Sequence, residues 1–373
     1  MKKSIFYFRE IGSRLDSGMT IQVLNDYGHL SAMGNDVFVP VYPIVNSDVA
    51  YGLNTVLFKS SNSRIRLLRL HIWLVLSILR SDRNRCVLLL RERKHLIFAL
   101  IARLLLGVTV VSELHEGGIP LTTAKSFRRK FQWFLDSVDG VVFTNYSQLH
   151  FLANRGYAIP RNHIVLPNGV NTRYFQCAQP GSLGSPQVLL TYTGQFTSWK
   201  NIPLLFESLQ YLPEHFRLRI AGGKVQGSSK AYVDGLVKQF HVEGRVDYLG
   251  FVAPEQIVET VISGSSVLLL PLGDSDIAQF ATSPMKLVEY MATQIPIVAI
   301  AAPSVIALSG TDTVYLSKMN ASDFADTILT AVSDRPCARE ERIVRANTRA
   351  VEYDHRERAR RYDDWLCSIL ARP

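Results

Sequence analysis

The alternation of apolar, strand-like runs with helical segments constrains the fold of this chain more than any other feature of its sequence. Six such runs stand in the first half, with helical stretches between them. They are Ser4–Phe8, Asp36–Val41, Cys86–Leu90, Thr109–Ser112, Gly140–Thr144 and His163–Leu166. Strands joined by crossover helices form a mostly parallel sheet that is covered on both faces. The first half is therefore predicted to be a doubly wound α/β domain.

This alternation stops once and then starts again. Residues 176–187 are dense in Pro, Gly and Ser, which is typical of a linker. Six further strand-like runs follow, namely Val188–Thr193, Phe216–Ile220, Val246–Leu249, Val267–Leu270, Ile297–Ile300 and Thr313–Leu316. A chain of 373 residues is long enough for two domains. We therefore predict one Rossmann-like domain over 1–175, a linker over 176–187 and a second Rossmann-like domain over 188–350.

The segment 351–373 is predicted to be a helix. Tyr353, Tyr362 and Trp365 are spaced to share one helical face. We expect this face to pack on either domain, or the helix to cross to the N-terminal domain. Doubly wound sheets bind ligands at the carboxyl ends of their strands. Two of them facing across a cleft can shield a transfer reaction from water.

The charge of the chain is uneven. Residues 1–175 carry 22 Lys and Arg against 11 Asp and Glu, whereas the remainder carries 19 against 21. A basic half suits an anionic partner such as a membrane surface, a lipid phosphate or a polyanion, and it is equally compatible with ordinary solubility. The helical run Arg64–Leu76, which includes Arg66, Arg69 and Trp73, fits an interfacial helix or a core helix equally well. Residues 96–111 read as a buried helix followed by a strand.

Several classes of protein are disfavoured by motifs that the chain lacks. Its four cysteines form no Cys-x-x-Cys pair, which argues against a zinc site and fits a reducing cytoplasm. It has neither the Gly-x-Gly-x-x-Gly fingerprint of a dinucleotide dehydrogenase nor a P-loop. Asp274 and Asp276 spell an Asp-x-Asp tripeptide, but two acids at this spacing arise often by chance. We therefore predict no metal site and no nucleic-acid partner.

The strongest local signal is the segment Thr282–Ala292. Ser283 is suited to cap a helix and Pro284 to occupy its first position, so a helix is expected to begin there. The free N–H groups and the dipole at such an end attract anions, and Lys286 adds a charge in the first turn. Glu289 lies further along the helix and can accept hydrogen bonds from a ribose diol. The alternative is an ordinary amphipathic helix with a surface glutamate.

Other candidate residues follow predicted strands and therefore lie at the carboxyl edges of their sheets. Gly194 allows a tight turn after the first strand of the second domain, and Lys200 beyond it is either a phosphate ligand or a solvated loop lysine. His115 stands between two glutamates and can contact a sugar or move a proton, although a loop histidine is more often structural. Gly18 and Met19 form a weaker candidate, a glycine turn that opens a helix over a ligand.

Together these segments resemble the retaining glycosyltransferases of family 4. Residues 164–175 include Pro167-Asn168-Gly169-Val170 and look like the family's Pro-Asn-Gly-Val stretch, which joins two domains. Residues 193–201 resemble its glycine and lysine loop, and residues 283–299 resemble its Ser-Pro-x-Lys-x-x-Glu donor motif. Leu114-His115-Glu116 looks like its N-domain histidine segment. The resemblance runs from about residue 110 onwards, whereas the first part of the chain matches only in outline.

The resemblance implies the GT-B fold, in which two Rossmann-like doubly wound domains face each other across a cleft. It also implies roles for single residues. The donor-binding positions are Gly194, Lys200, Ser283, Pro284, Met285, Lys286 and Glu289. Lys200 would bind a donor phosphate, Glu289 the ribose, and His115 would lie near the transferred sugar, so these three residues form the expected catalytic set. Gly18 and Met19 lie outside the resembling part, and their place after the first strand of the N-terminal domain predicts that they contact the acceptor.

Two positions depart from the family pattern. Ala281 stands where many members have the first glutamate of a Glu-x7-Glu pair, and that glutamate normally touches the donor sugar. The identity of the sugar is therefore not implied. Gln195 stands where an arginine is common, which leaves Lys200 and Lys286 to neutralise the phosphates.

The reaction that the resemblance implies is a retaining transfer by a hexosyltransferase without a metal or other cofactor. The donor would be a UDP- or GDP-sugar, and the acceptor a hydroxyl of a glycan or a lipid-linked molecule. Such a reaction suits the synthesis of cell-surface polysaccharide or glycolipid by a cytoplasmic protein that can bind the inner face of the membrane. The alternatives are a GT-B nucleotide-sugar epimerase or phosphorylase and a non-catalytic GT-B partner that still binds a nucleotide.

Overall fold

The chain forms two compact units. The computed structural model describes residues 2–8, 18–41, 53–57, 63–91, 93–115, 118–121, 124–184, 186–223 and 229–371. Unit 1 comprises Met1–Gly169 together with His355–Pro373, and unit 2 comprises Val170–Asp354. Each unit has its own sheet and its own hydrophobic core.

The sheet of unit 1 is parallel throughout its described strands. These strands are β1 (Ser4–Phe8), β2 (Asp36–Val41), β3 (Asn54–Leu57), β4 (Cys86–Leu90), β5 (Thr109–Leu114), β6 (Gly140–Phe143) and β7 (His163–Val165). Their order is β3-β2-β1-β4-β5-β6-β7. The central strands are buried on both faces, which explains why β4 reads as a continuous apolar run rather than an alternating one.

The helices of unit 1 stand between these strands in the sequence. They are α1 (Gly18–Ala32), α2 (Ser63–Leu79), α3 (Leu96–Leu106), α4 (Lys125–Ser137) and α5 (Tyr146–Asn154). Gly107 ends α3 in the left-handed conformation with φ 70°, and Asn145 caps α5 by accepting a hydrogen bond from the Ser147 N–H group. Within the described ranges, no helix combines the length and the apolar composition needed to cross a membrane.

The sheet of unit 2 is also parallel. Its described strands are β8 (Val188–Gly194), β9 (Phe216–Gly222), β10 (Val246–Gly250), β11 (Val267–Leu270), β12 (Ile297–Ile300) and β13 (Tyr315–Ser317). Their order is β10-β9-β8-β11-β12-β13. The order reverses between β8 and β11, so the first three strands extend the sheet in one direction and the last three in the other.

Helices accompany this second sheet along the whole of unit 2. They are α6 (Thr172–Phe175), α7 (Ile202–Leu209), α8 (Ser229–Gln239), α9 (Met285–Met291), α10 (Pro303–Ser309), α11 (Ala321–Ser333) and α12 (Pro336–Val351). Pro203, Pro303 and Pro336 lie in the first turns of α7, α10 and α12, where a missing N–H group costs nothing. Two π-helical turns, Val258–Ile262 and Ile277–Ala281, flank β11.

These two parallel sheets confirm the predicted class of two doubly wound α/β domains. The sequence patterns miss β3, whose four residues Asn54–Leu57 are too few and too polar at the start to stand out. They also place the last strand two positions early, at Thr313 instead of Tyr315. Both strands lie at an edge of their sheet, where one side lacks a neighbour and the apolar pattern is weakest.

The chain passes from unit 1 to unit 2 between Gly169 and Val170, before the boundary expected at 175. The segment 176–187, expected to be a linker, belongs to unit 2. The Gly181 N–H group donates to Ser265 O at 2.8 Å, and the Gly264 N–H group donates to Gln179 O at 2.8 Å. A Cβ atom on Gly181 would collide with the Gly264 carbonyl oxygen. The Pro and Gly content of residues 176–187 therefore reflects close backbone packing. Composition alone does not distinguish such a packed segment from a free linker.

The C-terminal helix α13 (His355–Leu370) belongs to unit 1 although it follows unit 2 in sequence. It packs against α1 and buries Tyr362 completely in the core of unit 1. The buried side chain of Lys3, just before β1, forms an ion pair with Asp363 of α13 at 2.8 Å. The helix expected over 351–373 begins only at His355, because a break at residues 352–354 separates it from α12.

Helix α13 contacts the Pro-Asn-Gly stretch, residues 167–169. The Pro167 carbonyl oxygen accepts a hydrogen bond from Arg358 Nε at 2.8 Å, and Asn168 accepts one from Gln22 on α1. A Cβ atom on Gly169 would collide with the His355 ring and would lie 2.7 Å from Asp26 Oδ1. Each of these positions therefore has a local reason within unit 1 for its residue type.

We predict that Gly169→Ala lowers the stability of the protein by about 1–3 kcal/mol, because the added methyl group must displace the buried His355 and Asp26 pair. The midpoint of urea unfolding measures the change. Gly235→Ala is the matched control, since a Cβ atom at that position on α8 meets nothing within 4 Å and alanine favours a helix. A stable Gly169→Ala protein would contradict the packing described here.

Candidate functional site

The reversal of strand order in unit 2 marks the place where a ligand is expected. In open α/β sheets, ligands bind beyond the carboxyl ends of the strands on either side of such a reversal. Here these strands are β8 and β11. The chain after β8 carries Gly194 and Lys200, and the chain after β11 leads to α9 with Lys286 and Glu289. The predicted donor residues of unit 2 therefore gather at one edge of one sheet.

Glycines allow the backbones to approach closely at the end of β8. Gly194 has φ 150°, and its carbonyl oxygen accepts a hydrogen bond from the Gly223 N–H group at 3.2 Å. A Cβ atom on Gly222 would collide with that same carbonyl group. A Cβ atom on Gly194 would lie 3.4 Å from Lys200 Nζ. The bare backbone at Gly194 therefore lies directly beside the predicted phosphate-binding ammonium group.

Lys200 stands on a 3-10 turn, Ser198–Lys200, that is tied to the segment after β11. The Gly273 N–H group donates to the Trp199 carbonyl oxygen at 2.9 Å. The Lys200 ammonium nitrogen lies 5.2 Å from the centroid of the Trp199 ring, a distance at which a cation and an aromatic ring attract each other. These contacts hold the lysine at the reversal instead of leaving it as a mobile surface residue.

The helix at the donor motif begins later than expected. Met285 is the first residue of α9, and Pro284, with φ −68° and ψ 99°, occupies the capping position without a side-chain capping bond. Ser283 therefore does not cap the helix, and its side chain is buried. The extended backbone at Pro284 delays the helix by one residue. The helix of seven residues that follows is also too short to rely on its dipole alone.

Lys286 and Glu289 form an ion pair on the first turns of α9. Lys286 Nζ and Glu289 Oε2 are 2.6 Å apart, and the side chains are 28% and 11% exposed. The sequence predicts separate phosphate and ribose ligands here, whereas the structure joins the two side chains in an ion pair. Residues three positions apart on a helix face the same way, so the contact follows directly from their spacing. A cation and a carboxylate therefore stand together at this edge of the sheet.

Two tyrosines that sequence reasoning missed hold this edge together. Tyr290 on α9 accepts a hydrogen bond from the Thr193 N–H group at 2.8 Å, which ties α9 to the end of β8. Burial raises the pKa of Tyr290, so the phenol stays protonated. The Tyr174 hydroxyl donates to Pro254 O at 2.8 Å and accepts from the Val258 N–H group at 3.2 Å. Neither tyrosine stands out in the sequence by itself. Tyr290 only follows Glu289, and Tyr174 only lies shortly after the Pro-Asn-Gly stretch.

Thr197 is a further polar residue in the turn after β8 that the sequence did not single out. Its hydroxyl oxygen is buried and makes no hydrogen bond to any residue that the structure describes. Gln195, in the position where the family often has an arginine, is exposed. Ala281, in the position of the first family glutamate, is completely buried in the π-helical turn before α9.

The Asp-x-Asp tripeptide lies in the loop after β11. Asp274 is exposed and Asp276 is half-buried. Across the described part of the chain, no three His, Cys, Asp or Glu side chains converge in a way that would hold a metal ion.

In unit 1, His115 lies just beyond β5 within a buried network of charges. Its Nδ1 atom accepts a hydrogen bond from Arg91 Nη2 at 3.1 Å, and its Nε2 atom lies 3.6 Å from Glu113 Oε1. Glu113 also accepts hydrogen bonds from Tyr27 at 2.6 Å and from Arg358 Nη2 at 2.5 Å. The histidine is therefore oriented from two sides, by Arg91 just after β4 and by Glu113 on β5.

Arg358 is the central cation of this network. Its Nη1 atom lies 3.0 Å from Asp26 Oδ2, and Asp26 in turn accepts a hydrogen bond from His355 Nδ1 at 2.6 Å. Burial by itself would raise the pKa of Glu113, but Arg358, and then His115, hold it well below its ordinary value. The network therefore contains an ionised glutamate next to the predicted catalytic histidine. No local sequence pattern points to Arg358, because its partners lie far away along the chain.

The structure describes the other candidate residues of unit 1 only in part. Gly18 and Met19 are the first two residues of α1. Asp16 and Ser17 before them, and Glu116 and Gly117 after His115, lie outside the described residues.

Comparison with protein families adds an independent finding for unit 2. Residues 187–334 match the model of a family described as glycosyl transferases group 1. Most of unit 2 is therefore similar to a group 1 glycosyltransferase domain. The matched range contains all of the predicted donor positions. A search of curated protein sequences gave no match.

Comparison with solved structures covers both units. The chain is similar to HepE of Anabaena in complex with UDP and glucose, with a TM-score of 0.73 and 15% identity over 98% of this chain and 100% of that one. A glycosyltransferase from Rickettsia africae gives a TM-score of 0.78 at 15% identity, with full coverage of both chains. The lipopolysaccharide outer core galactosyltransferase WaaB gives 0.69 at 16% identity over 99% of each chain. The fold is GT-B. At these identities the similarity establishes the GT-B fold and leaves the reaction to be argued from the site.

The buried network in the N-terminal unit of this GT-B protein leads to a pH-dependent prediction. Arg358→Met leaves Asp26 and Glu113 buried without their cation, which we expect to cost about 3–5 kcal/mol of stability at neutral pH. Arg358 is the largest of the charges that lower the pKa of Glu113, so its removal lets burial raise that pKa. A raised pKa means that the folded variant gains stability as the pH falls, so its melting temperature should approach that of the wild type between pH 7.5 and pH 5.

Arg360→Met on the same helix is the control for this prediction. Arg360 is exposed and pairs with Glu357 and Asp364 at the surface, so its replacement should change the melting temperature little. An Arg358→Met protein with the same deficit at both pH values would show that its loss is one of packing and not of charge.

Proposed function

We propose that this chain is a retaining glycosyltransferase of the family 4 type. It would transfer a hexosyl group from a nucleoside diphosphate sugar to a hydroxyl group of a glycan or a lipid-linked acceptor. Two findings support the proposal: the similarity of most of unit 2 to a group 1 glycosyltransferase domain and the arrangement of residues at the strand reversal. The donor would bind to unit 2 and the acceptor to unit 1, with Gly18 and Met19 among its contacts.

The gathering of Lys200, Lys286 and Glu289 at the reversal carries this proposal. A nucleoside diphosphate presents a doubly charged diphosphate beside a ribose diol. Lys200 stands by the bare backbone of Gly194, where a phosphate can approach closely, and Lys286 offers a second ammonium group. The carboxylate of Glu289 supplies the acceptor oxygens that a diol requires. Ser283, Pro284 and Met285 would place backbone groups of the same segment against the diphosphate.

The proposed reaction exchanges one C–O bond for another. The acceptor hydroxyl oxygen bonds to the anomeric carbon while the bond from that carbon to the diphosphate breaks. The proton of the hydroxyl passes to an oxygen of the leaving diphosphate, so the reaction requires no general base from the protein. Lys200 and Lys286 stabilise the charge that develops on the diphosphate, which is the part that a metal ion plays in other transferases. His115, oriented by Arg91 and Glu113, would contact the transferred sugar.

Similar structures suggest which nucleotide and which acceptor to test first. HepE was solved with UDP and with UDP-glucose, which makes a UDP-sugar the first candidate donor. The similarity to a lipopolysaccharide galactosyltransferase and the basic character of residues 1–175 favour an acceptor at a membrane. We therefore infer a cytoplasmic enzyme of cell-surface polysaccharide or glycolipid synthesis, bound peripherally to the inner face of the membrane.

A non-catalytic nucleotide-binding protein is the second candidate. Ala281 and Gln195 replace two residues that many family members use on the donor, and both replacements are evident in the structure as a buried methyl group and an exposed amide. Such a protein would bind a nucleotide without turning over a nucleotide sugar. Release of UDP from UDP-glucose, or from another UDP-hexose, in the presence of acceptor lipid extracts separates the two candidates.

We predict that calorimetric titration shows binding of one nucleotide among UDP, GDP and ADP, with UDP preferred. Lys200→Ala and Glu289→Ala should each weaken this binding at least about tenfold, because each removes a charged hydrogen-bonding group. Lys230→Ala is the control, since Lys230 is exposed on α8 and pairs with Asp234 there. Failure of all three nucleotides to bind would refute the donor site.

We predict further that chelation leaves the activity unchanged. If lysines replace the metal ion, EDTA should not alter the rate of sugar transfer, and Lys286→Met should lower it at least about a hundredfold. The anomeric configuration of the product, read by NMR, should match that of the donor. Loss of activity in EDTA with recovery on adding Mg²⁺ or Mn²⁺ would contradict the metal-free scheme, and an inverted product would contradict retention.

A further inference from the structure

Helix α3 buries its two alanines and exposes four of its large apolar residues. Leu96, Ala99 and Ala102 are buried against unit 1. Leu104 and Leu105 are 83% and 70% exposed, and Ile97 and Ile101 are 60% and 51% exposed. These four positions are spaced by four, three and one residues, so they lie on one side of the helix. The expectation of a buried helix at 96–106 is therefore wrong for its outer side, where the hydrophobicity is greatest.

Helix α2 repeats this arrangement over a greater length. Leu70, Leu74 and Ile78 form a fully buried inner stripe. A second stripe of large apolar residues is exposed on the opposite side. It consists of Ile65, Leu68, Ile72, Leu76 and Leu79. An amphipathic helix of a globular protein normally carries polar residues on that side.

The two helices are neighbours in unit 1. The rings of His71 on α2 and Phe98 on α3 pack with their centroids 4.1 Å apart. Arg103 fixes the end of α3 by donating to the Ser137 carbonyl oxygen at 2.7 Å and by pairing with Asp139 at 3.3 Å. We call the exposed apolar side chains of both helices the α2–α3 face. Isolated exposed leucines are common on protein surfaces, but a patch of this extent on two packed helices marks an interaction surface.

The charges around the α2–α3 face indicate its partner. Residues 63–106 contain ten Lys and Arg against two Asp and Glu, and neither acid lies on α2 or α3. Arg64, Arg69 and Lys94 are exposed at these helices, and α4 adds the exposed residues Arg128, Arg129 and Lys130. A second copy of the same face would bring like charges together, which disfavours a symmetric dimer. An anionic lipid surface matches both the apolar residues and the positive charge.

We infer that the α2–α3 face inserts into the interfacial region of an anionic lipid bilayer. The leucines and isoleucines would contact the lipid at the boundary of the acyl chains. The flanking arginines would contact phosphate headgroups. This inference deepens the proposed function by assigning its membrane partner to specific residues. It needs only unit 1, so it can fail or succeed independently of the donor site in unit 2.

Sedimentation of the full-length protein with sucrose-loaded vesicles tests the inference. We expect binding to vesicles of phosphatidylcholine and phosphatidylglycerol, and much weaker binding to phosphatidylcholine alone. The double variant Leu104→Ser/Leu105→Ser should bind the anionic vesicles at least about tenfold more weakly, because it removes the two most exposed apolar side chains of the face. Arg64→Gln should weaken binding about fivefold, and only on the anionic vesicles.

The double variant Val344→Ser/Val351→Ser is the matched control. Both valines lie on α12 in unit 2 and are 57% and 53% exposed, so their replacement removes surface hydrophobicity without touching the face. This control should bind vesicles like the wild type. UDP titration of every variant monitors unit 2: intact nucleotide binding with lost vesicle binding supports the inference, whatever the fate of the proposed function.

Two results would overturn the inference. In the first, the leucine variant binds anionic vesicles as tightly as the wild type. In the second, the wild type fails to bind vesicles but forms oligomers in sedimentation velocity that the leucine variant does not form. The second result would assign the α2–α3 face to a second copy of the chain.

Discussion

The ion pairs of Arg358 are the interaction on which unit 1 depends. A buried guanidinium group is tolerated only when its partners satisfy it, and here Asp26, Glu113 and the Pro167 carbonyl group do so. These partners belong to α1, to β5 and to the Pro-Asn-Gly stretch, so one side chain connects three separate parts of the unit. The same network orients His115 through Glu113. Stability of the unit and placement of the histidine therefore rest on the same charges.

Unit 2 achieves its arrangement by different means. Its edge at the strand reversal is held by backbone hydrogen bonds, by glycines that permit close approach and by the neutral Tyr290 phenol. The charged groups at that edge, Lys200, Lys286 and Glu289, are partly exposed and pair locally. Charges that stay near water can exchange their partners for those of a ligand at small cost, whereas those of Arg358 cannot. This difference suits a fixed position of His115 in unit 1 and the proposed anion site in unit 2.

Much of the fold follows from the sequence because buried parallel strands read as apolar runs and turns read as glycine and proline. The positions of Gly194, Lys200 and the Lys286–Glu289 segment follow from the same reasoning, since strand ends define where loops lie. The role of Arg358 could not be predicted in this way, because its contact with Glu113 spans 245 residues and leaves no local pattern in the sequence. The exposed side of helix α3 could not be predicted either, but for another reason. When nearly every residue of a helix is apolar, periodicity does not reveal which side meets the core, and here the small alanines decide it.

The return of α13 to unit 1 has a consequence for how the protein is made. Unit 2 is one continuous stretch, Val170–Asp354, so all of its strands and helices are made before α13. Unit 1 has to wait for His355–Leu370, because the cation that neutralises Asp26 and Glu113 arrives only with that helix. During translation the unit that begins first is therefore completed after unit 2, and until α13 is made its Asp26 and Glu113 carboxylates lack the guanidinium group that pairs with them in the folded unit.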